Sequence, residues 1–328
     1  MYLCNMAANT SAHYTLNWWE RLVYGLIFSI AYLFSLLPLC IHYLFSDFIY
    51  FIFYKLVGYR IKVTRMNLTA SFPEKSEKEI IDIERRYYHF LADYIVETIK
   101  LMSMSRKQIK KRMTYEGFNL INDAERNGRS VSLFLGHYGN WEWITSMGLY
   151  VLPSTFGGQV YHILENRIFD KLMLYIRERL NAICVPMNEI LRKRLECGKK
   201  QQPMVMGYIS DQVPLWNSIH HWLPFLHHDT PVFTGAEKLT KRFNDIAVYL
   251  DISRPRRGYY HVKIVPLYEG DTRNIPDFAI TDAYFKALEK TIQRQPELWL
   301  WSHNRWKRTR EEWEKRRTPQ PPLGGDNM

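Results

Sequence analysis

The chain has 328 residues, a net charge of +11, and a composition that is 47% hydrophobic and 15% aromatic. This length admits one large domain or two small ones, and the positive balance calls for an acidic partner: nucleic acid, an anionic membrane surface or an acidic protein. Cys4, Cys40, Cys184 and Cys197 are scattered with no CxxC pair, which argues against a disulfide framework and a zinc site.

The first element is apolar. Leu22 to Phe45, "LVYGLIFSIAYLFSLLPLCIHYLF", holds no acidic residue and no Lys or Arg. At about 1.5 Å per residue it is long enough to cross a bilayer core of roughly 30 Å. Pro38 is expected to kink it. Trp18 and Trp19 precede it as interfacial anchors do, and a second apolar run, Phe48 to Tyr54, is too short to cross and is expected at the interface. Only Arg21 flanks the span closely upstream, whereas Lys55, Arg60, Lys62 and Arg65 follow it, so the positive-inside bias places the remainder in the cytoplasm. Residues 1–60 therefore read as a membrane anchor with an interfacial segment, 61–317 as a cytoplasmic domain, and 318–328, "PQPPLGGDNM" with the Thr before it, as a disordered tail.

Met66 to Glu79 reads as a polar connector ending in a capping box, Ser76 with Glu79. Ile80, Ile83, Tyr87, Leu91, Tyr94, Ile95 and Ile99 then recur at helical spacing to about Met102, followed by the basic stretch "RKQIKKR", Arg106 to Arg112. From about Arg129 strands and helices alternate. "SVSLFLG", "GGQVYHIL", "AICVPM", "MVMGYISDQ", "DIAVYLDIS" and "YYHVKIVPLY" read as strands. "NWEWITSMGLYVL", capped by Asn140, reads as a helix, as do "RIFDKLMLYIRERLNA", "MNEILRKRLECGKK", "GAEKLTKRF" and the segment after Ile280. The alternation predicts an α/β fold with a mainly parallel central sheet flanked by helices.

One junction carries chemistry. In "SVSLFLGHYGNWEW", Ser130 to Trp143, a strand ends at His137, and Glu142 follows five residues on. Reactive groups in open α/β sheets sit in the crevice at the carboxyl ends of the strands. If Glu142 folds back onto Nδ1–H of His137, Nε2 is left free as a general base. No GxSxG elbow and no neighbouring Cys supplies a nucleophile, so the pair suits activation of a substrate hydroxyl and direct acyl transfer. A metal site is not expected, since His and Glu at this spacing share no helix face.

"GHYGNWEW" resembles the H-x4-D/E motif of glycerolipid-type acyltransferases. From about Asn67 to Arg317 the chain resembles the lipid A secondary (lauroyl/myristoyl) acyltransferases of Gram-negative bacteria. The blocks that carry this are "NLTASFPEKSEKE", "YIRERLNAICVP", "SDQVP", "LPFLHHDTPVFTGAEKLTKRF" and "QPELWLWSHNRWK", in that order. The resemblance implies an inner-membrane enzyme moving a fatty acyl group from an acyl carrier protein or coenzyme A thioester to a hydroxyl of a lipid A precursor. It needs no cofactor beyond the thioester co-substrate. It makes His137 the general base and Glu142 its orienting partner. Arg177 would hold or polarise the substrate and Asp211 would support the substrate or the dyad, with Gln212 and Asn140 beside them, and backbone N–H groups around Gly139 are candidate oxyanion donors. The same chemistry on an aminolipid or phospholipid is the alternative, and a silent scaffold of the same fold is a third reading that the intact His137–Glu142 pair opposes.

The chain departs from the family pattern at Tyr161-His162, where an arginine is frequent, and at His227-His228, where small residues are common. Arg305 to Arg317 carries seven basic and three acidic residues, with Trp299, Trp301, Trp306 and Trp313 in or just before it. That pattern suits a headgroup surface or a phosphorylated substrate, and the apolar N-terminus makes nucleic acid a poor fit.

Overall fold

A computed structural model describes residues 14–317, so the expected tail lies outside the described residues. Its centre is a seven-stranded sheet in the order β1-β9-β8-β2-β5-β3-β4. The strands are β1 (Met113–Glu116), β2 (Val131–Leu135), β3 (Phe156–Tyr161), β4 (Ile183–Pro186), β5 (Met204–Ile209), β8 (Ile246–Arg256) and β9 (Tyr259–Tyr268). Strands β8, β2, β5, β3 and β4 run parallel, while β9 is antiparallel to β8 and β1 follows β9. The fold is the expected one, α/β with a mostly parallel sheet between helices.

The central strand β2 is buried at every position, as a parallel strand covered on both faces must be. Phe134 faces Tyr284 of α10 (Ala279–Arg294), at a ring separation of 5.6 Å. Its neighbours Leu133 and Leu135 face the opposite layer, with Ile144 and Met147. Helix α4 (Glu77–Lys100) opens on the expected capping box: the Ser76 N–H donates to Glu79 Oε2 at 2.8 Å, and the Glu79 N–H donates back to Ser76 Oγ. The expected connector from Met66 is half helix, because α3 (Ile61–Ser71) buries Thr64, Asn67 and Leu68 against the domain.

Parts of the chain differ from the sequence reading. "NWEWITSMGLYVL" forms a short 3-10 segment, Trp143–Leu149, and no α-helix. Gly148 there lies against the backbone of Leu180, where a Cβ would sit 2.5 Å from the carbonyl oxygen. The β6–β7 hairpin (His221–Phe225, His228–Val232) was not anticipated, and its two-residue turn, Leu226 and His227, takes positive φ without a glycine. The departing His227-His228 pair thus belongs to a tight turn, with His228 stacked on Trp306 at 3.9 Å, and His162 lies exposed after β3.

At the N-terminus Pro38 breaks the apolar span where a kink was expected. Helix α1 (Trp18–Leu36) stops, and α2 (Leu39–Tyr50) starts afresh and runs into a π-helical turn, Phe51–Leu56. The remaining helices are α5 (Arg106–Arg112), α6 (Asn119–Arg126), α7 (Arg167–Glu178), α8 (Ile190–Lys199), α9 (Gly235–Phe243) and α11 (Arg310–Arg317).

Candidate active site

Strands β2 and β5 are parallel neighbours with Leu135 opposite Ile209. The residues two beyond those ends, His137 and Asp211, emerge side by side. Asp211 Oδ1 lies 2.6 Å from His137 Nδ1, while Oδ2 accepts the His137 backbone N–H and the Trp299 indole N–H, both at 2.8 Å. The orienting carboxylate of the imidazole is therefore Asp211. An ionised carboxylate only accepts, so this contact selects the tautomer with the proton on Nδ1 and leaves Nε2 as a lone pair. Gln212 Nε2 stands 3.4 Å from Nε2. His137 is 20% exposed and Asp211 2%, so the base reaches solvent while its partner does not.

Burial pushes the Asp211 carboxyl up, but His137, the Trp299 N–H and the His137 backbone N–H outweigh it and hold the group below the ordinary carboxylate range. Arg305 lies buried within electrostatic reach and donates to the Pro231 carbonyl at 2.8 Å. Burial drops its pKa to about 10, against the attraction of Asp211. His303 is pushed down to about 4, chiefly by burial.

Glu142 does not meet the imidazole. Its carboxylate forms a two-point pair with Arg177 of α7, with Nε donating at 2.7 Å and NH2 at 2.6 Å. The expectation that Glu142 folds onto Nδ1 is corrected for a local reason. The segment after Gly139 turns into a tight 3-10 coil, not an α-helix, and aims Glu142 at α7. Burial raises the Glu142 carboxyl, yet Arg177, ahead of the nearby His137, brings it below the usual value. Arg177 therefore braces Glu142 beside the imidazole. Two of its guanidinium nitrogens are held there, and its side chain stays 20% exposed.

Asn140 is removed from the substrate-contacting set. It is fully buried, its amide N–H2 donates to Glu97 at 2.8 Å, and its Oδ1 accepts the Trp143 N–H at 3.1 Å. It caps the 3-10 segment, as its sequence position suggested, and is spent on structure. The Gly139 N–H is also engaged, donating to the Leu298 carbonyl at 2.9 Å, so it is no oxyanion donor.

The C-terminal signature block, expected to suit a headgroup surface or a phosphorylated substrate, instead turns two of its tryptophans into the core behind the site. Trp299 and Trp301 are buried, and Leu298 to Leu300 strap the His137 loop through a bridge between Tyr138 and Trp299. The Leu300 N–H donates to the His137 carbonyl at 3.1 Å. Asn67 Nδ2 in turn donates to the carbonyls of Trp301 and His303, both at 2.9 Å, joining the first and last resemblance blocks. Trp299 was missed as a site residue. Its signal was an indole in a run too apolar for a solvated surface.

A small apolar cavity of about 30 Å³ lies against β2, β3 and β5, lined by Leu135, Ile209, Gly207, Ile144, Met147 and Val151 among others. Among the described residues no Ser, Thr or Cys side chain is hydrogen-bonded to Nε2. Burial pushes the Cys184 thiol up to about 12, far from thiolate chemistry. Among the described residues the arrangement offers an oriented base with no protein nucleophile in hydrogen-bond reach of Nε2.

Residues 8–308 match the family described as bacterial lipid A biosynthesis acyltransferase. The chain is 23% identical over 262 residues to the lipid A biosynthesis palmitoleoyltransferase of Escherichia coli (strain K12), over 76% of this chain and 79% of that protein. It stands in the same relation, at 23% over 262 residues, to a lipid A biosynthesis acyltransferase of Shigella flexneri. A match across most of the chain, with its motif histidine oriented at the end of a central strand, makes this protein a member of the bacterial lipid A biosynthesis acyltransferase family and an enzyme that transfers acyl groups.

Proposed function

We propose that the protein moves a fatty acyl group from a thioester, on acyl carrier protein or coenzyme A, to a hydroxyl of a lipid A precursor. The observation that carries this is the open Nε2 of His137, with Nδ1 fixed by buried Asp211, in a chain of this family. Nε2 takes the proton of the acceptor hydroxyl as its oxygen attacks the thioester carbonyl. The C–S bond then breaks, and the imidazolium returns the proton to the departing thiolate. The step balances with the thioester as co-substrate. Asp211 stabilises the imidazolium it faces. The Gln212 amide, beside Nε2, is the side-chain donor placed to meet the developing oxyanion. Arg177 presents its remaining charge to the phosphorylated acceptor.

The test is an assay of the purified full chain with acyl-acyl carrier protein and acyl-coenzyme A. Its acceptors are a phosphorylated, 3-hydroxyacylated glucosamine disaccharide, an aminolipid and a phospholipid, read by product mass. Acylation of the disaccharide is expected, and loss of it in His137→Ala by at least about a thousandfold. Transfer to the other lipids alone would overturn the acceptor, and full activity of His137→Ala would overturn the base.

A further inference from the structure

Helix α1 and the combined α2 and π-helical turn are each long and apolar enough to cross a membrane. Their contacts say otherwise. Just before α1, the Tyr14 hydroxyl donates to the Arg167 carbonyl at 2.7 Å and to Asp170 at 2.9 Å, both at the start of α7. At its other end, the Ser35 and Leu37 carbonyls accept from Lys100 Nζ of α4 at 2.7 and 2.8 Å. Between them, Lys171 lies over the Tyr24 ring and Phe28 packs on Tyr175. A helix of nineteen residues is about 28 Å long. One whose two ends both hydrogen-bond to polar groups of the same domain lies along that domain.

The second element is bound in the same way over its whole length. Tyr43 donates to Glu97 at 3.0 Å and Ser46 to Asp93 at 2.6 Å, Asp47 pairs with Arg257, Tyr50 stacks on His89, and Tyr54 donates to Glu84. In a hydrocarbon layer these carboxylates and guanidinium groups would have to be desolvated, a cost of several kcal/mol each.

What both elements leave outward is a single apolar stripe. On α1 it is Trp18, Leu22, Leu26, Ile30 and Leu33, at a spacing of three to four residues; on the second element it is Leu44, Phe48 and Phe51, leading to Leu56 and Val57. Trp18 and Trp19 stand at one end, Tyr59 at the other, and exposed Arg21, Lys55, Arg60 and Lys62 rim it. Aromatic ends and a cationic rim around an aliphatic face match the headgroup boundary of an anionic bilayer.

We infer that residues 18–59 form an in-plane membrane platform that enters one leaflet, with residues 14–17, just upstream of α1, on the same side as the catalytic domain. Helix α7 lies against this platform and carries Arg177, so the active-site mouth is held at the lipid surface. The inference rests on the packing of the fold and stands whatever the acceptor proves to be.

Vesicles from cells expressing the full chain give the test. In a Thr15→Cys variant that also carries Cys4→Ser and Cys40→Ser, with Cys184 and Cys197 buried, a membrane-impermeant maleimide reports the exposed position just upstream of α1. A Lys263→Cys variant that also carries Cys4→Ser and Cys40→Ser reports the domain. Both should label in inverted vesicles and neither in right-side-out ones; labelling from opposite sides overturns the proposal. Purified full chain should float with vesicles of phosphatidylethanolamine and phosphatidylglycerol, and Leu26→Glu with Phe48→Glu should cut the bound fraction at least tenfold at unchanged thermal unfolding. Unchanged binding overturns it. So does a lipid-free dimer that the same pair of substitutions splits, since the stripe would then face a second copy.

Discussion

Asp211, expected to support the substrate or the dyad, stands at Nδ1 of His137, the place that sequence spacing suggests for Glu142. The contact of Asp211 with His137 was legible in principle: each residue stands two beyond the end of a strand, and those strands are neighbours. What the sequence withheld was the strand order, since fifty residues and more separate β2 from β5. Glu142 is close to His137 in the chain and was assigned to it for that reason, but a 3-10 coil and an α-helix aim the fifth residue differently. Asp211→Asn should lower kcat by about three to four orders of magnitude at little change in KM, because an amide no longer selects the Nδ1–H tautomer. The same variant has a signature in acid. The folded carboxyl is depressed, so its contribution to stability is full above the ordinary Asp value of 3.8 and is lost as pH falls through the lower folded value. Denaturant melts across that window should therefore steepen with acid in the parent and flatten in Asp211→Asn. Glu142→Gln strands the Arg177 guanidinium, and a loss of about 3 kcal/mol is expected in urea unfolding. In the double variant with Arg177→Met the two losses should fall well short of additive. Additive losses would show that the pair is not one unit.

At the scale of elements, the strands announced themselves because a parallel sheet covered on both faces needs unbroken apolar runs, and β2, β5 and β8 supply them. Helix α4 was legible from both its period and its capping box. The segments that escaped are those whose shape is set by partners distant in sequence. The 3-10 coil after Asn140 is held by Glu97 of α4, and the β6–β7 turn adopts positive φ at residues that give no glycine signal. The strap from Leu298 to Trp301 is the clearest of these. It reads as a surface run of tryptophans, yet it buries Trp299 and Trp301 and fixes the loop of His137 from behind. Trp299→Phe keeps most of that packing and deletes one donor to a buried carboxylate. It should cost about 1.5–3 kcal/mol of stability. It should also reduce kcat more than KM changes, through looser seating of Asp211, as steady-state kinetics at saturating donor would show.

For the molecule as a whole, the charge of +11 called for an acidic partner and the apolar N-terminus for a membrane, and the proposed platform sets exposed Arg21, Lys55, Arg60 and Lys62 beside the apolar stripe. Hydropathy could not tell crossing from lying flat, because both need a long apolar helix. The difference lies in polar residues elsewhere in the chain that bind the helix ends. Lys100 is the residue on which this can be read without any membrane. Its ammonium group caps the last turn of α1 through the Ser35 and Leu37 carbonyls, where a cation also opposes the negative end of the helix dipole. Burial holds its pKa below the ordinary lysine value, with the nearby Arg112 adding to the effect. Lys100→Met keeps the apolar stem and removes the cap, leaving the Leu37 carbonyl without its donor and the Ser35 carbonyl with the Ser103 hydroxyl alone. If α1 is docked along the domain, hydrogen exchange in residues 18–36 should speed at least tenfold, while β2 and β5 keep their protection, because the release is local and the sheet is built without α1. Equal loss of protection in α1 and in the sheet would mean that the helix unfolds only with the whole domain, and that Lys100 serves the core more than the contact between platform and domain.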